Sequence, residues 1–243
     1  MLPDGWNKKE LIYALLGKDR VKPDLFPEVP HKYAHHLNSS QMVCYEFFRP
    51  LITAITVNGE KAGKVKDPLV RCLNAMGLPG EEFTKGKVAF EYEPDPEEKT
   101  NFDFYVESGD NKKKVYFEIK YTEGKFGSCE EDGNHEAKFN KIYKPMIDKC
   151  VCLKRPVEFG KEWCNNYQLF RNVLRATNEN EYVVFLFPEE NETVRRQYEQ
   201  FRETFLKRDC NVKAVHWEDL SWPGLQLTSD AFREKYFFYA KPT

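Results

Sequence analysis

Alternating apolar and polar positions predict three neighbouring β-strands in the middle of the chain. The alternation, near residues 87–93, 101–107 and 113–121, has the period of two that is the side-chain repeat of an extended strand. Residues 108–111 read Ser-Gly-Asp-Asn, and these residue types tolerate the backbone angles of a tight hairpin turn. A continuous apolar run at 181–187 predicts a further strand that is buried on both faces.

Helical patterns lie on both sides of these strands. The side chains from Asn38 to Gln41 are typical of a helix start, and the apolar stretch that follows is expected to kink at Pro50. We expect the remaining helices at 8–16, 68–76, 135–150, 162–177 and 193–208, and a short strand at 211–216. The order of helix, three strands, helix and strand predicts an α/β fold with additions at both ends.

Length and composition favour one globular domain. The chain has 243 residues, of which 41% are hydrophobic and 31% are charged, so it is globular and can bury a sizeable core. We expect a single domain over residues 1–243, with its core at about 38–190 and a helical insertion at about 134–160.

Cysteine usage and hydropathy predict the compartment of the protein, and its net charge limits the ways in which it can bind nucleic acid. The seven cysteines are odd in number and irregularly spaced, which favours free thiols in a reducing compartment. No apolar run is long enough to span a membrane, and residues 1–16 carry charges that interrupt a signal peptide, so we expect a cytoplasmic protein without a membrane partner. The net charge of -2 excludes a generally basic nucleic-acid binder but not a local basic surface.

The strand pattern places acids and a lysine on one face of the sheet. Alternation along the third strand sends Glu118 and Lys120 to the face opposite its apolar residues. Across the predicted hairpin Asp103 can lie beside them, and Glu91 on the first strand faces the same way. The solvated side of an antiparallel sheet has the same pattern. A lone acid on the apolar first helix, Glu46, favours a functional interpretation because a buried carboxylate needs a cation or another partner.

This combination of residues is suited to the hydrolysis of phosphodiester bonds. Carboxylates from adjacent strands can hold Mg²⁺ or Mn²⁺, since hard divalent ions prefer oxygen ligands and keep several waters. Such ions stabilise the charge that grows on the phosphate and lower the pKa of a bound water. A neighbouring lysine can orient or deprotonate that water and can contact the phosphate.

Two segments of the chain resemble the signature of a known superfamily. Phe102-Asp103-Phe104, followed by Phe117-Glu118-Ile119-Lys120, is similar to the PD-(D/E)XK nuclease pattern. The predicted element order also resembles that superfamily's αβββαβ core. Residues 36–41, 118–123 and 167–171 further resemble a bacterial group within the superfamily, and the likeness spans most of the chain.

The resemblance implies a restriction-endonuclease-like fold, with a central mixed sheet flanked by helices, and Mg²⁺- or Mn²⁺-dependent hydrolysis of DNA. It implies that Asp103 and Glu118 bind the metal together with Glu46. Lys120 would be the catalytic lysine, and Gln168 would lie near the metal or the DNA.

Asp95 and Glu91 are alternatives to Asp103 as the acid that precedes Glu118 in the nuclease pattern. The literal Pro-Asp dipeptide of the chain is Pro94-Asp95, but it lies in a Pro- and Glu-rich stretch that has the composition of a loop. Asp103 is favoured because it lies within a strand next to the hairpin, and Glu91 is the next candidate.

Several basic residues are candidate contacts for nucleic acid. Arg171 and Arg175 share a helical face with Gln168, and this face could meet phosphates or form an ordinary solvated stripe. Lys138 and Lys141 lie in the predicted insertion, where they could contact the nucleic-acid backbone.

Other functions are compatible with the same fold. A catalytically inactive nucleic-acid-binding or assembly subunit would keep the sheet without the activity. A homodimer or a larger defence or repair assembly is also compatible with the sequence. Zinc is disfavoured because the spacings of Cys129, His135, Cys150, Cys152 and Cys164 do not match a paired-cysteine zinc site.

Overall fold

The structure of the protein is a computed structural model. It describes residues 39–57 and 60–220, together with Lys9, Leu25, Phe26 and Tyr236. Within the two long ranges, side chains are described except at residues 55–62. Apart from Lys9, the helix expected at 8–16 lies outside the described residues.

A seven-stranded mixed sheet lies at the centre of the protein. Its strands are β1 Ile52–Val57, β2 Glu60–Val65, β3 Lys87–Tyr92, β4 Phe102–Glu107, β5 Lys114–Ile119, β6 Glu181–Phe187 and β7 Val212–His216. They are ordered in the sheet as they are in the chain; β1 to β5 pair antiparallel, whereas β6 is parallel to both β5 and β7. This is the predicted α/β architecture, a central mixed sheet flanked by helices that is consistent with a restriction-endonuclease-like core.

Seven α-helices are found among the described residues. They are α1 Ser40–Phe48, α2 Asp67–Ala75, α3 Gly133–Lys138, α4 Lys144–Ile147, α5 Lys161–Asn165, α6 Tyr167–Val173 and α7 Glu192–Phe205. Short 3₁₀ helices are found at Arg49–Leu51, Gly80–Phe83 and Trp217–Asp219, and a π-helical turn at Phe139–Tyr143. Within the described part of the chain, no helix combines the length and apolarity that a membrane crossing requires.

The sequence interpretation missed one hairpin. All five predicted strands are confirmed, with small differences at their ends, but β1 and β2 were not predicted. These two strands pair from Ile52 with Val65 to Val57 with Glu60, so two residues connect them. That connection is Asn58-Gly59, a dipeptide typical of two-residue hairpin turns, and it is the signal that could have found them.

Two predicted helices are interrupted in the structure. The helix expected at 162–177 is broken at Asn166, whose backbone leaves the helical region between α5 and α6. The helix expected at 135–150 contains the π-helical turn, after which α4 begins with a proline in its first turn.

Helices cover both faces of the sheet. On one face α1 and α2 pack against the sheet, and Phe48, Phe104 and Phe117 belong to this half of the core. On the other face Phe170 of α6 packs in a second cluster that also contains Tyr116 of β5, which is 4% exposed. The face of β5 that carries Glu118 is therefore covered, so it is not the solvated side of an open sheet.

Replacing Phe48 with alanine should destabilise the whole fold. The Phe48 ring is fully buried and stacks on Phe104 with 4.0 Å between ring centroids. Removing the ring leaves a cavity in the core, which lowers the free energy of unfolding by about 3–5 kcal/mol, as measured by urea denaturation. The control is Val151→Ala, because the Val151 side chain is exposed and should contribute less than about 0.5 kcal/mol. Equal stability of the two variants would contradict this account of the core.

Candidate active site

The acids of three adjacent strands lie in one row across the sheet. The register of β3 and β4 sets Glu91 opposite Asp103, and that of β4 and β5, continued by one residue, sets Asp103 opposite Glu118. Residues opposite each other in neighbouring strands project to the same face and lie close together. The β4–β5 ladder ends just before this row, at the pair of Phe104 and Phe117. The row therefore marks the point where β4 and β5 stop pairing.

Pairing between β3 and β4 is also interrupted in this row. Glu91 has a φ of 50°, in the left-handed region that residues other than glycine rarely adopt. Such a backbone costs about 1–3 kcal/mol and is held only by surrounding contacts, often at functional sites. One of these contacts comes from α1, where Gln41 Nε2 donates a hydrogen bond to Glu91 Oε1 at 2.9 Å.

The carboxylate of Asp103 accepts a hydrogen bond that a backbone carbonyl would accept in a continuous β-ladder. Its Oδ2 accepts a hydrogen bond from the backbone amide of Ile119 at 2.6 Å. A buried amide needs an acceptor, and here that acceptor is a side chain because the strands no longer pair. On the other side, Cys44 Sγ of α1 donates to the backbone carbonyl of Asp103 at 3.4 Å. Asp103 is thus fixed at the opening between the two strands.

Glu118 is held by one lysine and two amide side chains. Its Oε1 accepts from Lys120 Nζ at 2.9 Å and from Gln168 Nε2 at 2.8 Å. Its Oε2 accepts from Asn172 Nδ2 at 2.9 Å. Gln168 and Asn172 are four residues apart on α6, so one face of that helix meets the carboxylate. Gly127, in the loop after β5, fixes the amide of Gln168 by donating its backbone N–H to Oε1 at 2.8 Å.

Burial and the repulsion between neighbouring charges disfavour the ionised forms of Asp103 and Glu91. Burial raises the pKa of Asp103 well above its usual value, and the charges of Glu118 and Glu91 raise it further. The charge of Lys120 opposes this rise. Burial also raises the pKa of Glu91, which the hydrogen bond from Gln41 lowers and the charge of Glu118 raises again. These acids therefore lie where additional positive charge would stabilise their ionised forms.

Lys120 is the cation of this cluster. Its side chain is 10% exposed and extends over the ring of Phe126, with 5.8 Å from Nζ to the ring centroid. Burial lowers the pKa of Lys120, but the charges of Glu118 and Asp103 raise it by more, so the net shift is upward. The ammonium form is thus favoured beside the carboxylates, and one lysine charge faces three acids.

The donor set matches a hard divalent ion in chemistry, although the side chains are not gathered into a closed cage. Among the described residues, no group of three histidine, cysteine or acidic side chains converges closely enough to hold a metal. Mg²⁺ does not require such a group, because it is commonly bound by one or two carboxylates and several waters. Asp103 and Glu118, adjacent across the opening, are the pair that fits this mode of binding.

Comparison with known proteins identifies the family of this chain. The sequence model of a family described as "Restriction Endonuclease associating with ARP" matches residues 17–237. The chain belongs to this family. No curated protein and no solved structure gives a significant match. A restriction-endonuclease-like family agrees with the central mixed sheet and its flanking helices.

In this restriction-endonuclease-like chain, Glu46 lies on a different side of α1 from the residue that contacts Glu91. It is five residues after Gln41, and thus about 140° around α1 from the residue that contacts Glu91. Instead it lies beside Tyr236, whose pKa is raised first by burial and then by the charge and hydrogen bond of Glu46. The structure brings Glu91 close to Asp103, and the metal-binding role of Glu46 stays a prediction.

Sequence reasoning missed three residues that contact the acids. Asn172 could have been found from its spacing, because it is four residues after Gln168 on the same helix. Gln41 and Cys44 gave no such signal, since a glutamine and a cysteine on an apolar helix are ordinary. Their contacts depend on how α1 is rotated against the sheet.

Arg171 of α6 and Arg175, which lies two residues beyond the end of that helix, contact other parts of this restriction-endonuclease-like fold. Both were candidates for phosphate contacts or for a solvated stripe, and in the structure they contact the loop between β3 and β4. Arg175 forms an ion pair with Glu98, which is fully buried, and the Arg175 side chain is 13% exposed. Arg171 Nη2 donates to Thr100 Oγ1 at 2.7 Å, and Thr100 in turn donates to Glu98 Oε1 at 2.6 Å. These arginines anchor the loop to α6.

The other candidate residues contact the same loop. Lys138 Nζ donates to the backbone carbonyl of Glu98 at 2.9 Å, whereas Lys141 forms an exposed ion pair with Glu97 at 3.4 Å. Asp95 Oδ1 accepts the backbone amide of Glu97 at 2.9 Å and so stabilises a turn. The contact between Asp103 and the Ile119 amide, by comparison, places Asp103 and not Asp95 at the strand opening.

Asp103→Asn should stabilise the metal-free protein. The pKa of Asp103 is higher in the folded protein than in the unfolded chain. The protein is therefore most stable, as far as Asp103 is concerned, below the unfolded-state pKa, and it loses this stability as the pH rises through the folded-state pKa. Asparagine keeps an oxygen for the Ile119 amide and removes the buried charge. We expect the unfolding free energy at pH 7 in EDTA to rise by on the order of 1 kcal/mol.

Asp110→Asn is the control for this measurement. Asp110 is an exposed acid in the β4–β5 turn, and hydrogen bonds from the Ser108 hydroxyl and the Lys112 amide lower its pKa. Its folded form therefore favours ionisation, and the substitution should not stabilise the protein at pH 7. Destabilisation by Asp103→Asn in EDTA would contradict the repulsion between the acids.

Arg175→Ala should lower the free energy of unfolding of the protein. Removal of Arg175 leaves the buried Glu98 carboxylate with only the longer, 4.0 Å ion pair to Arg171. Breaking a buried ion pair costs about 3–5 kcal/mol, measured by urea denaturation. Arg196→Ala is the control, because the pair of Arg196 with Glu192 on α7 is exposed and contributes about 0.3–0.5 kcal/mol. An Arg175 variant with unchanged stability but weaker DNA binding would restore the original expectation of phosphate contacts.

Proposed function

We propose that the protein is a metal-dependent nuclease of the PD-(D/E)XK type that hydrolyses phosphodiester bonds in DNA. The observation that carries this proposal is the position of the Asp103 carboxylate, 2.6 Å from the amide of Ile119 and therefore beside Glu118, with Lys120 Nζ 2.9 Å from Glu118. Membership of a restriction-endonuclease family supports it independently of that geometry.

Asp103 and Glu118 would hold Mg²⁺ or Mn²⁺, with Glu91 as the third acid in place of Glu46. When bound, the ion supplies positive charge for the phosphate oxygens and lowers the pKa of a coordinated water. The hydrogen bonds of Gln168 and Asn172 keep the Glu118 carboxylate in one orientation. This leaves the acid ready to bind the cation without a rotation of its side chain.

Lys120 would orient the attacking water and contact the phosphate. The ammonium group is held by Glu118 at the edge of the acidic row, so it lies within reach of a group bound there. A fixed positive charge beside the phosphate stabilises the transition state more than the ground state, because negative charge grows during in-line attack.

A second candidate function is an assembly subunit that acts with a partner. The family description names association with ARP, which supports a partner of that kind for this chain. Arg171 and Arg175 are paired with Thr100 and Glu98, which supports a source of DNA affinity other than these two side chains. The partner would then supply the affinity for DNA. That partner would be another protein in a defence or repair assembly, or a second copy of this chain in a homodimer.

Cleavage of DNA should depend on metal and on Lys120. Supercoiled and linear DNA are incubated with the protein and Mg²⁺, Mn²⁺ or EDTA. We expect nicking or cutting with either ion but not with EDTA, and a rate lowered about 10²–10⁴-fold in Lys120→Ala. Lys112→Ala is the matched control, since this lysine is exposed on the β4–β5 turn, at the opposite end of the strands from the acids.

Calorimetric titration with Mn²⁺ separates the two candidate functions. The wild type and Lys120→Ala should bind the ion, whereas Glu118→Gln should bind it more weakly. Binding without cleavage would support the assembly subunit, and addition of the partner would then be the next variable. Absence of both Mn²⁺ binding and cleavage would overturn the nuclease assignment.

A further inference from the structure

The segment that follows β5 begins directly after Lys120. Lys120 is the first residue beyond that strand, and its backbone amide donates to the carbonyl of Leu186 in β6 at 3.0 Å. From Tyr121 the chain leaves the sheet, and residues 121–127 form what we call the lysine loop. The contacts that fix this loop therefore also fix where the ammonium group of Lys120 lies relative to Glu118.

Asn191, which precedes α7, holds the first turn of the lysine loop. Its Nδ2 donates to the carbonyls of Tyr121 and Glu123, at 3.1 and 3.0 Å. Its Oδ1 accepts the amide of Val194 at 3.3 Å and so caps α7. The same turn is closed from within, because Glu123 Oε2 accepts the Tyr121 amide at 2.6 Å. The Asn191 side chain thus donates to the loop and accepts from the helix.

Gln197 of α7 holds the other end of the loop at Phe126. The backbone amide of Phe126 donates to Gln197 Oε1 at 2.8 Å, while Gln197 Nε2 donates to the carbonyl of Asn165 at 3.4 Å. The Phe126 ring is fully buried and packs edge-on against Phe185 of β6, with ring centroids 5.3 Å apart. A buried amide needs an acceptor, so Gln197 fixes the backbone where the ring enters the core.

Phe126 carries this restraint to Lys120. The lysine Nζ lies 5.8 Å from the centroid of the Phe126 ring, a distance at which the ring attracts a cation. The other partner of the ammonium group is Glu118, which α6 holds through Gln168 and Asn172. The two members of the ion pair are therefore positioned by different helices, the carboxylate by α6 and the ammonium group through the loop that α7 holds.

We propose that Asn191 and Gln197 are positioning residues for Lys120, holding its ammonium group where it meets the attacking water and the phosphate. This inference rests on the proposed nuclease function. The loop is also joined to α6, because Gly127 and Gln168 exchange hydrogen bonds through the Gly127 amide and carbonyl. Loss of the α7 contacts should therefore displace Lys120 and leave Glu118 in place. Cleavage would then fall without a matching loss of metal affinity.

Asn191→Asp separates positioning from helix capping. Aspartate keeps an oxygen for the Val194 amide and is as good an N-cap as asparagine. It removes both donors to the loop and places a negative charge against the carbonyls of Tyr121 and Glu123. A residue that only capped α7 would tolerate this change, whereas a positioning residue would not.

Asn211→Asp is the matched control for this variant. Asn211 is also a half-buried asparagine, and its Nδ2 donates to the carbonyl of Glu179 at 2.7 Å. It lies in the turn before β7, where its carbonyl accepts the amide of Val183 near the start of β6. The same substitution therefore breaks the same kind of contact at the end of the sheet opposite Lys120.

Gln197 offers an independent pair of variants. Gln197→Leu leaves the buried Phe126 amide without its acceptor. Gln197→Glu keeps an acceptor oxygen for that amide and should preserve the position of the loop. The pair tests the proposal even where Asn191→Asp fails to fold, which urea denaturation of each variant would show.

The first measurement does not depend on activity. Lysines of the folded full-length chain are acetylated competitively in EDTA and quantified by mass spectrometry, with Lys112, whose side chain is 77% exposed, as the internal reference. We expect the relative acetylation rate of Lys120 to rise about tenfold in Asn191→Asp and in Gln197→Leu, because lost hydrogen bonds favour local opening of the loop. Asn211→Asp and Gln197→Glu should match the wild type.

The second measurement compares catalysis with metal binding. In single-turnover cleavage of DNA with Mn²⁺, we expect the rate to fall about 10–10²-fold in Asn191→Asp and Gln197→Leu, as misplacement of a reacting group does. Calorimetric titration should give the same Mn²⁺ affinity as the wild type, since Glu118 stays on α6. A wild type that cuts no DNA would refute the proposed function, whereas the acetylation rates would still decide whether α7 positions Lys120.

The positioning role is overturned by any of three results. One is an acetylation rate of Lys120 that does not change in either loop variant. Another is an equal rise in Asn211→Asp, which would reflect general loosening of the fold. The last is a loss of Mn²⁺ affinity in parallel with cleavage, because the α7 contacts would then support the whole site rather than Lys120.

Discussion

The ending of the β4–β5 ladder at Phe104 and Phe117 is the constraint on which the site depends. Beyond this pair the amide of Ile119 has no strand carbonyl, and the carboxylate of Asp103 accepts its hydrogen bond instead. The contact satisfies a buried donor and at the same time fixes the acid where the strands separate. Glu118 occupies the opposite position in the register. Closing the strands would displace the acid, so the opening and the acidic row are one feature.

The acids are kept in place by neutral donors and by an anchored helix. Gln168 and Asn172 of α6 hold Glu118, as Gln41 of α1 holds Glu91. Helix α6 and the turn after it are tied through Arg171 and Arg175 to the buried Glu98 in the loop between β3 and β4. That loop joins the strands of the other two acids, so the same contacts position all three. The arginines therefore support the site from within the fold.

Local periodicity was enough to find much of the fold and the centre of the site. The strand repeat determines which side chains share a face, and so it grouped Glu118 with Lys120 and set Asp103 beside them. It did not distinguish Glu46 from Glu91, because the apolar pattern of α1 extends around most of the helix. The missed β1–β2 hairpin was an error of interpretation, since Asn58-Gly59 is a turn signal.

The sequence by itself determined the α/β order of elements, the strands that carry the acids and the spacing that joins Glu118 to Lys120, because all three follow from short-range backbone periodicity. Only the tertiary structure decided that Arg175 pairs with the buried Glu98 and that Gln41 meets Glu91. Each of these contacts joins residues distant in the chain. Their positions depend on helix rotation, loop closure and desolvation, which no local pattern of residues records.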